Sequence, residues 1–168
     1  MSLDAWQLLF SASFAALAYT FLGYPVLIGA LAKTFGKPVK KAPPAAPPSV
    51  SVVLLAFNEE ESLEVLADQI RSAMQQANIA FEVHFVDDGS RDRSWDRILK
   101  ISSTDQRFHG TRFRRNFGKA AALGHGFHQC KGDTVATLDA DLQDDPAEIP
   151  QMLAQLNNGL DLVSGWKK

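Results

Sequence analysis

The larger part of this chain is predicted to be an α/β domain with a mainly parallel, doubly wound sheet, and three observations predict it. Short apolar runs of strand character recur from Val50 onward, each is followed by a stretch whose apolar residues repeat at helical spacing, and a polar cluster closes each run. The alternation occurs four times before Lys168, the signature of parallel strands joined by right-handed crossovers.

Before that domain, Leu8 to Ala32 contains no charged residue and is long enough as a helix to cross a hydrocarbon core of roughly 30 Å. One N-terminal transmembrane helix within residues 1–33 is therefore expected. A cleaved signal peptide fits less well, since the start, Met1 to Trp6, carries no basic side chain and the apolar run is too long. Trp6 and Tyr24 suit interfacial depth, and Pro25 is expected to kink or end the helix. Lys33, Lys37, Lys40 and Lys41 follow the run while only Asp4 precedes it, which places everything after it on the cytoplasmic side. Residues 34–49 read as a Lys/Pro-rich linker, with Ala42 to Pro48 a semi-rigid extended spacer.

Within the domain, Val50 to Phe57 reads as a buried strand, and Glu60 to Ala77 as a helix with Leu63, Leu66, Ile70 and Met74 on its apolar face. Phe81 to Asp87 is a second strand, and Trp95, Ile98 and Leu99 mark a second helix. A short strand at Phe108 to Phe113 leads into an alanine-rich helix after Gly118. Thr134 to Leu138 is the next strand, and Asp145-Pro146-Ala147-Glu148 begins a helix with a cap, a proline at the first position and a glutamate three residues beyond the cap. Gly159 stops it, and Leu160 to Trp166 is expected to form a last strand.

A net charge of −2 over 168 residues argues against general nucleic-acid binding. The single cysteine, Cys130, excludes an internal disulfide and reads as a small buried residue. His125 and His128 lie three apart on a helix without a third ligand nearby, and His84 and His109 have no partner in the sequence, so none is read as a metal ligand.

Ligands of such sheets bind at the carboxyl ends of the strands. The residues there are Asn58-Glu59, Asp87 to Ser90, Arg115 to Lys119 and Asp139 to Gln143, and all four clusters are polar. The segments SVVLLAFNEEESL, VDDGSRDRSW, RRNFGKAAAL, LDADLQDDPAEIP and DLVSGWKK, in this order, resemble the family 2 glycosyltransferases of the GT-A fold, a Rossmann-like architecture, and more narrowly the polyprenyl-phosphate sugar transferases. The likeness runs from Val50 to Lys168. It implies a nucleotide-sugar donor, a UDP-sugar before a GDP-sugar, a divalent cation (Mg²⁺ or Mn²⁺), a lipid-linked acceptor such as polyprenyl phosphate, and a membrane location.

By the same resemblance Asp139 and Asp141 hold the metal and diphosphate with Gln143 as a supplementary oxygen ligand, and Phe57, Glu59, Asp87 and Asp88 line the base and ribose pocket. A hard cation with oxygen ligands suits a diphosphate whose charge must be neutralised for binding and departure. Asp88 can accept from a base N–H, and Phe57 can stack on the base. Gly118 allows close backbone approach at a helix start, and Lys119 adds positive charge near the phosphates. Asp144 is read as a solvated loop residue and Asp145 as the cap. Arg112, Arg114 and Arg115 fit either the phosphates or a basic surface that meets anionic lipid headgroups. No catalytic base is named, because a phosphate acceptor is already anionic at neutral pH.

Departures from the family pattern are Leu55-Ala56 in place of a Pro-Thr type pair, Phe57 in place of Tyr, and Arg91 and Arg93 in place of smaller residues. The family pattern continues well past residue 168 with its acceptor half, so the chain is expected to be the donor half of an inverting transferase; a nucleotide-sugar-binding fragment without turnover is the competing reading, as is a polysaccharide or glycolipid acceptor. A haloacid-dehalogenase-type phosphatase also places D-x-D after a strand, but expects it near the domain start and Thr or Val where Leu142 stands. A nucleotidyltransferase expects a glycine-rich basic loop where Phe57 to Ser62 is acidic.

Overall fold

The computed structural model of the chain describes residues 3–35 and 48–165, which fall in two compact units. Lys37, Lys40, Lys41, most of the expected spacer and Trp166 to Lys168 lie outside the described residues.

The described residues of the first unit are helical: α1 (Leu3–Ala18), a π-helical turn (Tyr19–Gly23) and α2 (Tyr24–Phe35). Pro25 does not end the helix. Its ring and missing N–H disturb the turn before it, and that turn widens so that the Tyr24 N–H donates to Tyr19 O, five residues back. Thr20 Oγ1 adds a bond to Ala16 O at 2.9 Å. The continuous helix Ala5–Phe35 has 31 residues, and no residue of its π turn or second half is buried. At 1.5 Å per residue it is roughly 46 Å long, more than a hydrocarbon core needs.

The second unit alternates β1 (Val50–Ala56), α3 (Leu63–Gln76), β2 (Phe81–Asp87), α4 (Ser94–Thr104), β3 (Phe108–Arg112), α5 (Lys119–Gln129), β4 (Thr134–Asp139), a 3₁₀ turn (Pro146–Glu148) and α6 (Ile149–Asn157). The four strands pair in parallel in the order β3-β2-β1-β4. The chain thus runs outward from β1 to β3 and returns across the sheet through α5 to β4, which makes the fold doubly wound about β1. Register sets Ala56 beside Asp87, Leu55 beside Asp139 and Asp87 beside Arg112, so the carboxyl ends finish level with one another.

Val50, Val52, Leu54 and Ala56 of β1, with Val83 and Phe85 of β2, face one core with Leu63, Leu66, Ile70 and Met74 of α3, Ile98 and Ile101 of α4, and Ile149 and Leu153 of α6. Helix α5 covers the opposite face. Its Gly126 is required there, since a Cβ would come within 2.4 Å of Val53 Cγ1.

Several boundaries differ from expectation. Helix α3 begins at Leu63 rather than Glu60, because Glu59 to Ser62 form a polar turn closed by the Ser62 N–H on Glu59 O. In α4 it is Ile101 that packs inward, while Leu99 is half exposed. The expected strand at Leu160 to Trp166 is not formed over its described residues, 160–165. Leu160 and Leu162 are exposed there, so neither a ladder nor burial stabilises an extended segment. The Asp145 cap is present and accepts from the Ala147 N–H at 2.9 Å, though the first turn after it is 3₁₀.

At the amino ends of the strands a polar lock ties the α5–β4 connection to the sheet. Glu82 Oε1 accepts from Ser51 Oγ at 2.7 Å and from the Lys131 N–H at 2.7 Å, while Ser51 Oγ accepts from the Gly132 N–H at 2.8 Å. His84 Nε2 lies 3.3 Å from the same carboxylate oxygen. Burial works against ionisation of Glu82, yet the bonds from Ser51, the Lys131 amide and His84 outweigh it and hold the carboxyl down at about 2, below its ordinary 4.5. A depressed carboxyl stabilises the fold above its unfolded value and loses that contribution as pH falls through the folded value. Glu82→Gln is therefore expected to lower stability at pH 7 by about 1–2 kcal/mol, reduced from the range for charged hydrogen bonds by partial solvation. Thermal melts of the detergent-solubilised chain should show the deficit shrinking between pH 4.5 and about 2; a deficit independent of pH would remove the carboxylate from the lock.

Candidate functional site

Four loops meet at the carboxyl rim. The loop after β2 is built by Asp87, which is fully buried. Its Oδ1 accepts from the N–H of Ser90, three residues on, at 2.8 Å, and its Oδ2 lies 3.3 Å from Arg112 Nε. Arg112 also donates to Ser90 O at 3.2 Å, so this arginine is turned into the frame of the rim. Gly89 has φ +78°, and a Cβ on it would meet the Arg115 backbone carbon at 2.6 Å. Only glycine lets the two loops touch there.

Asp88 joins the same two loops through its side chain. Its Oδ1 accepts from the Phe117 N–H at 2.7 Å and its Oδ2 from the Gly118 N–H at 2.9 Å, and the carboxylate is buried. Gly118, at φ +89°, then starts α5. Lys119, the first residue of that helix, places Nζ 2.7 and 2.9 Å from the two carboxylate oxygens of Asp139 at the end of β4.

The loops after β1 and β2 are closed on each other by backbone-to-side-chain bonds. The Asn58 N–H donates to Ser90 Oγ, the Glu59 N–H to Ser94 Oγ and the Glu60 N–H to Asp92 Oδ2, while Asn58 Oδ1 accepts from the Arg91 N–H. This network leaves an open depression of about 560 Å³ lined by Asn58 to Ser62, Asp92 and Leu142. Phe57 is 44% exposed at its edge of the rim. Asn58 and Leu142 both have left-handed φ, 60° and 62°. For leucine that is a strained conformation, of the kind that collects at ligand sites.

Leu142 sits inside the D-x-D turn. Asp141 Oδ1 accepts from the Gln143 N–H at 3.1 Å, and Asp144 accepts from the Asp139 N–H at 3.2 Å. Asp144 is thus half-buried and part of the turn rather than a solvated loop residue. Ala140, in the turn that follows β4, is 2% exposed and belongs to the core, while Asp141 beside it is exposed. Asp139 and Asp141, with the Gln143 amide, are oxygen donors suited to a hard divalent cation, whose other positions diphosphate oxygens and water would fill. Among the described residues no group of three or more His, Cys, Asp or Glu has the geometry of a complete metal site. His125 instead packs edge-on against Phe113 and lies 3.3 Å from Thr111 Oγ1.

All the site residues expected from the sequence therefore belong to the rim, but in two roles. Phe57, Glu59, Lys119, Asp139, Asp141 and Gln143 have solvent-accessible surface, whereas Asp87 is wholly internal and Asp88 holds a neighbouring loop. Asn58 and Ser90 stood in the expected rim clusters without a role assigned to them, and Asp92 and Ser94 were not named. The signal for Ser90, Asp92 and Ser94 was the D-D-G-S-x-D-x-S spacing of residues 87–94, each short polar side chain standing where it can bond a backbone N–H.

A parallel sheet with its switch at β1 and carboxylates at its carboxyl rim defines a Rossmann-like, nucleotide-binding class of fold. Residues 51–167 match the model of glycosyl transferase family 2, and the chain belongs to that family. It is 44% identical over 115 residues to an undecaprenyl-phosphate 4-deoxy-4-formamido-L-arabinose transferase of Pseudomonas fluorescens, covering 68% of this chain and 34% of the relative. A transferase of the same description from Pectobacterium carotovorum is 41% identical over 116 residues, covering 68% and 36%. The chain spans about a third of the length of these curated relatives. Among solved structures, a mannosyltransferase of Pyrobaculum calidifontis in complex with GDP-Man and Mn²⁺ is similar at 29% identity and TM-score 0.50, over 76% of this chain and 38% of that one. Glucosyl-3-phosphoglycerate synthase of Mycobacterium tuberculosis, in complex with Mn²⁺, UDP and glucosyl-3-phosphoglycerate, is similar at 26% identity and TM-score 0.54, over 67% and 40%. The Rossmann-like fold expected from the sequence is the one observed.

The two bonds to Asp88 make a direct prediction. In Asp88→Asn one acceptor becomes an amide donor facing a backbone N–H, and a buried bond lost in this way costs about 1–3 kcal/mol. Hydrogen exchange at Phe117 and Gly118 is expected to speed up by roughly tenfold or more while exchange in β1 and β2 stays unchanged. Unaltered exchange at those two amides would show that the loop is held by something else.

Proposed function

We propose that the domain is the donor-binding half of a membrane-anchored, inverting glycosyltransferase that moves a sugar from a nucleotide-sugar to a lipid-linked acceptor, polyprenyl phosphate in the first instance. The observation that carries this reading is the meeting of Asp139, at the end of β4, with Lys119 at the start of α5, in a turn that carries Asp141 two residues further on. Carboxylates for a cation, an ammonium group and a helix amino terminus are the three features that bind a diphosphate. The curated relatives named for undecaprenyl-phosphate sugar transfer, and structural relatives carrying GDP-Man or UDP with Mn²⁺, support the same substrates.

In this reading Phe57 stacks on the base, Glu59 and Asp88 accept from base and ribose, and Asp87 positions the turn that carries Asp88. Asp139, Asp141 and Gln143 hold a divalent cation, which supplies charge neutralisation to the leaving diphosphate. Lys119 is the mobile cation of the site. Its pair with Asp139 is exposed and contributes little stability, so exchanging that carboxylate for a diphosphate oxygen is cheap. The acceptor phosphate is already an anion and needs alignment with the anomeric carbon more than it needs a base.

Calorimetry with Mn²⁺ and UDP tests the assignment on two variants. Asp141→Asn is expected to weaken Mn²⁺-dependent UDP binding by about 1–3 kcal/mol. Lys119→Met, by freeing Asp139, is expected to tighten binding of Mn²⁺ alone while weakening UDP binding. Wild-type behaviour in both would remove the central assignment. Radiolabelled sugar transfer on the same preparation separates the full reading from donor binding without turnover, since intact binding with no transfer supports the second.

Lys33 follows the apolar helix and Asp4 precedes it, which favours a cytoplasmic domain. Protease added to sealed, right-side-out vesicles should leave the domain intact; digestion without permeabilisation would reverse the orientation.

A further inference from the structure

Arg112, Arg114 and Arg115 do not act as one group. Arg112, though 45% exposed, is tied to Asp87 and Ser90 O with its guanidinium over Trp95, while Arg114 and Arg115 are exposed and, among the described residues, pair with no carboxylate. The segment from Arg112 to Lys119 contains four cationic residues and no acidic one. Arg112 and Lys119 are each held by an aspartate, which leaves the loop between them with two uncompensated charges. Phe117 stands beside them, 55% exposed, with the Arg115 guanidinium 4.8 Å from its ring centre and the edge of Phe113 packed against it at 5.7 Å.

This display is built, not a loose tail. The Asp88 carboxylate holds the Phe117 and Gly118 backbone, the Arg115–Asn116 backbone lies on Gly89, and the Phe113 N–H donates to Asp87 O. An aromatic ring that remains exposed among unpaired arginines, on a loop fixed from behind, has the composition of a membrane-interface contact: the ring suits headgroup depth and the guanidinium groups suit anionic lipid. Of the rim acids, Glu59 to Glu61 and Asp92 lie on the loops after β1 and β2 and Asp139 to Asp144 after β4, while the other exposed rim arginines, Arg91 and Arg93, stand singly among the acids of the β2 loop, Arg93 paired with Glu60; the loop from Phe113 to Gly118 alone carries two adjacent arginines and no acidic residue.

We propose that the loop from Phe113 to Gly118 docks on the surface of an anionic bilayer, with Arg114 and Arg115 on the headgroups and Phe117 at interfacial depth. The proposal rests on the reading that the rim serves a lipid-linked acceptor, and it adds the surface by which the rim is brought to the headgroup layer. Docking here leaves Asp139 and Asp141, at the same end of the sheet, facing the layer from which a lipid phosphate would be presented.

The test uses the full chain in nanodiscs, with neither donor nor acceptor present, and follows tryptic cleavage after Arg114 and Arg115 by mass spectrometry. Lys131, exposed at the opposite end of the sheet, is the internal control. In discs containing phosphatidylglycerol, cleavage after Arg114 and Arg115 relative to Lys131 should be roughly tenfold slower than in phosphatidylcholine discs, and high salt should abolish the difference. Equal relative rates in the two lipids overturn the proposal while leaving sugar transfer untouched. Protection in neutral discs produced by UDP with Mn²⁺, without an effect of anionic lipid, would assign the arginines to the diphosphate and overturn it as well.

Discussion

The rim depends on one carboxylate, that of Asp88, which grips the backbone of the connection between β3 and α5. Strands β3 and β4 lie on opposite edges of the sheet, and α5 has to cross β2 and β1 to join them. A crossover helix of this kind can start at many heights and angles. The bonds from Phe117 and Gly118 to Asp88 fix where it starts, and with it the position of Lys119 relative to Asp139. Asp87 lies one residue earlier, buried in the frame of the turn, and Gly89 one residue later, removing the side chain that would keep the loops apart.

The two ends of the sheet solve the problem of exposed backbone differently. At the amino ends Ser51, Glu82 and Asp133 take up the N–H groups of Ser49 and of the α5–β4 connection, so that end is polar yet closed. At the carboxyl ends the loops satisfy one another's backbone groups and still leave Glu59, Asp141, Gln143 and Lys119 accessible. Closed groups contribute to stability, whereas accessible charge on a rigid rim is what binding of an anionic ligand requires.

Much of this was legible because parallel strands buried on both faces write continuous apolar runs, and the second strand, Phe81 to Asp87, has the boundaries its sequence suggested. Asp145 was equally plain, as cap chemistry is local. What escaped depends on partners distant in sequence. That the Asp88 carboxylate also holds the loop at Gly118 shows only once that loop is folded against it, and Asp144 looks solvated until Asp139 supplies an N–H. The left-handed Leu142 has no sequence signal, because leucine rarely adopts that conformation. Leu160 to Trp166 alternates like a strand, but alternation does not create a ladder, and its described residues find none. Pro25 is the reverse case: its chemistry is plain, and the helix absorbs it by a π turn instead of stopping.

The site proposed for the cation and diphosphate lies between the end of β4 and the start of α5, and not in the neighbouring acidic depression formed by Glu59 to Glu61 and Asp92. Both are rich in oxygen donors and close enough on the rim to be confused by affinity alone. Paramagnetic broadening of amide resonances by substoichiometric Mn²⁺, on the isotope-labelled chain in detergent with UDP present, distinguishes them directly. Binding at the proposed site gives selective loss of signal at Asp139 to Gln143 and at Gly118 and Lys119, with Lys131 and Gly132 unaffected. Broadening centred on Glu60, Glu61 and Asp92, with the D-x-D turn spared, would contradict it.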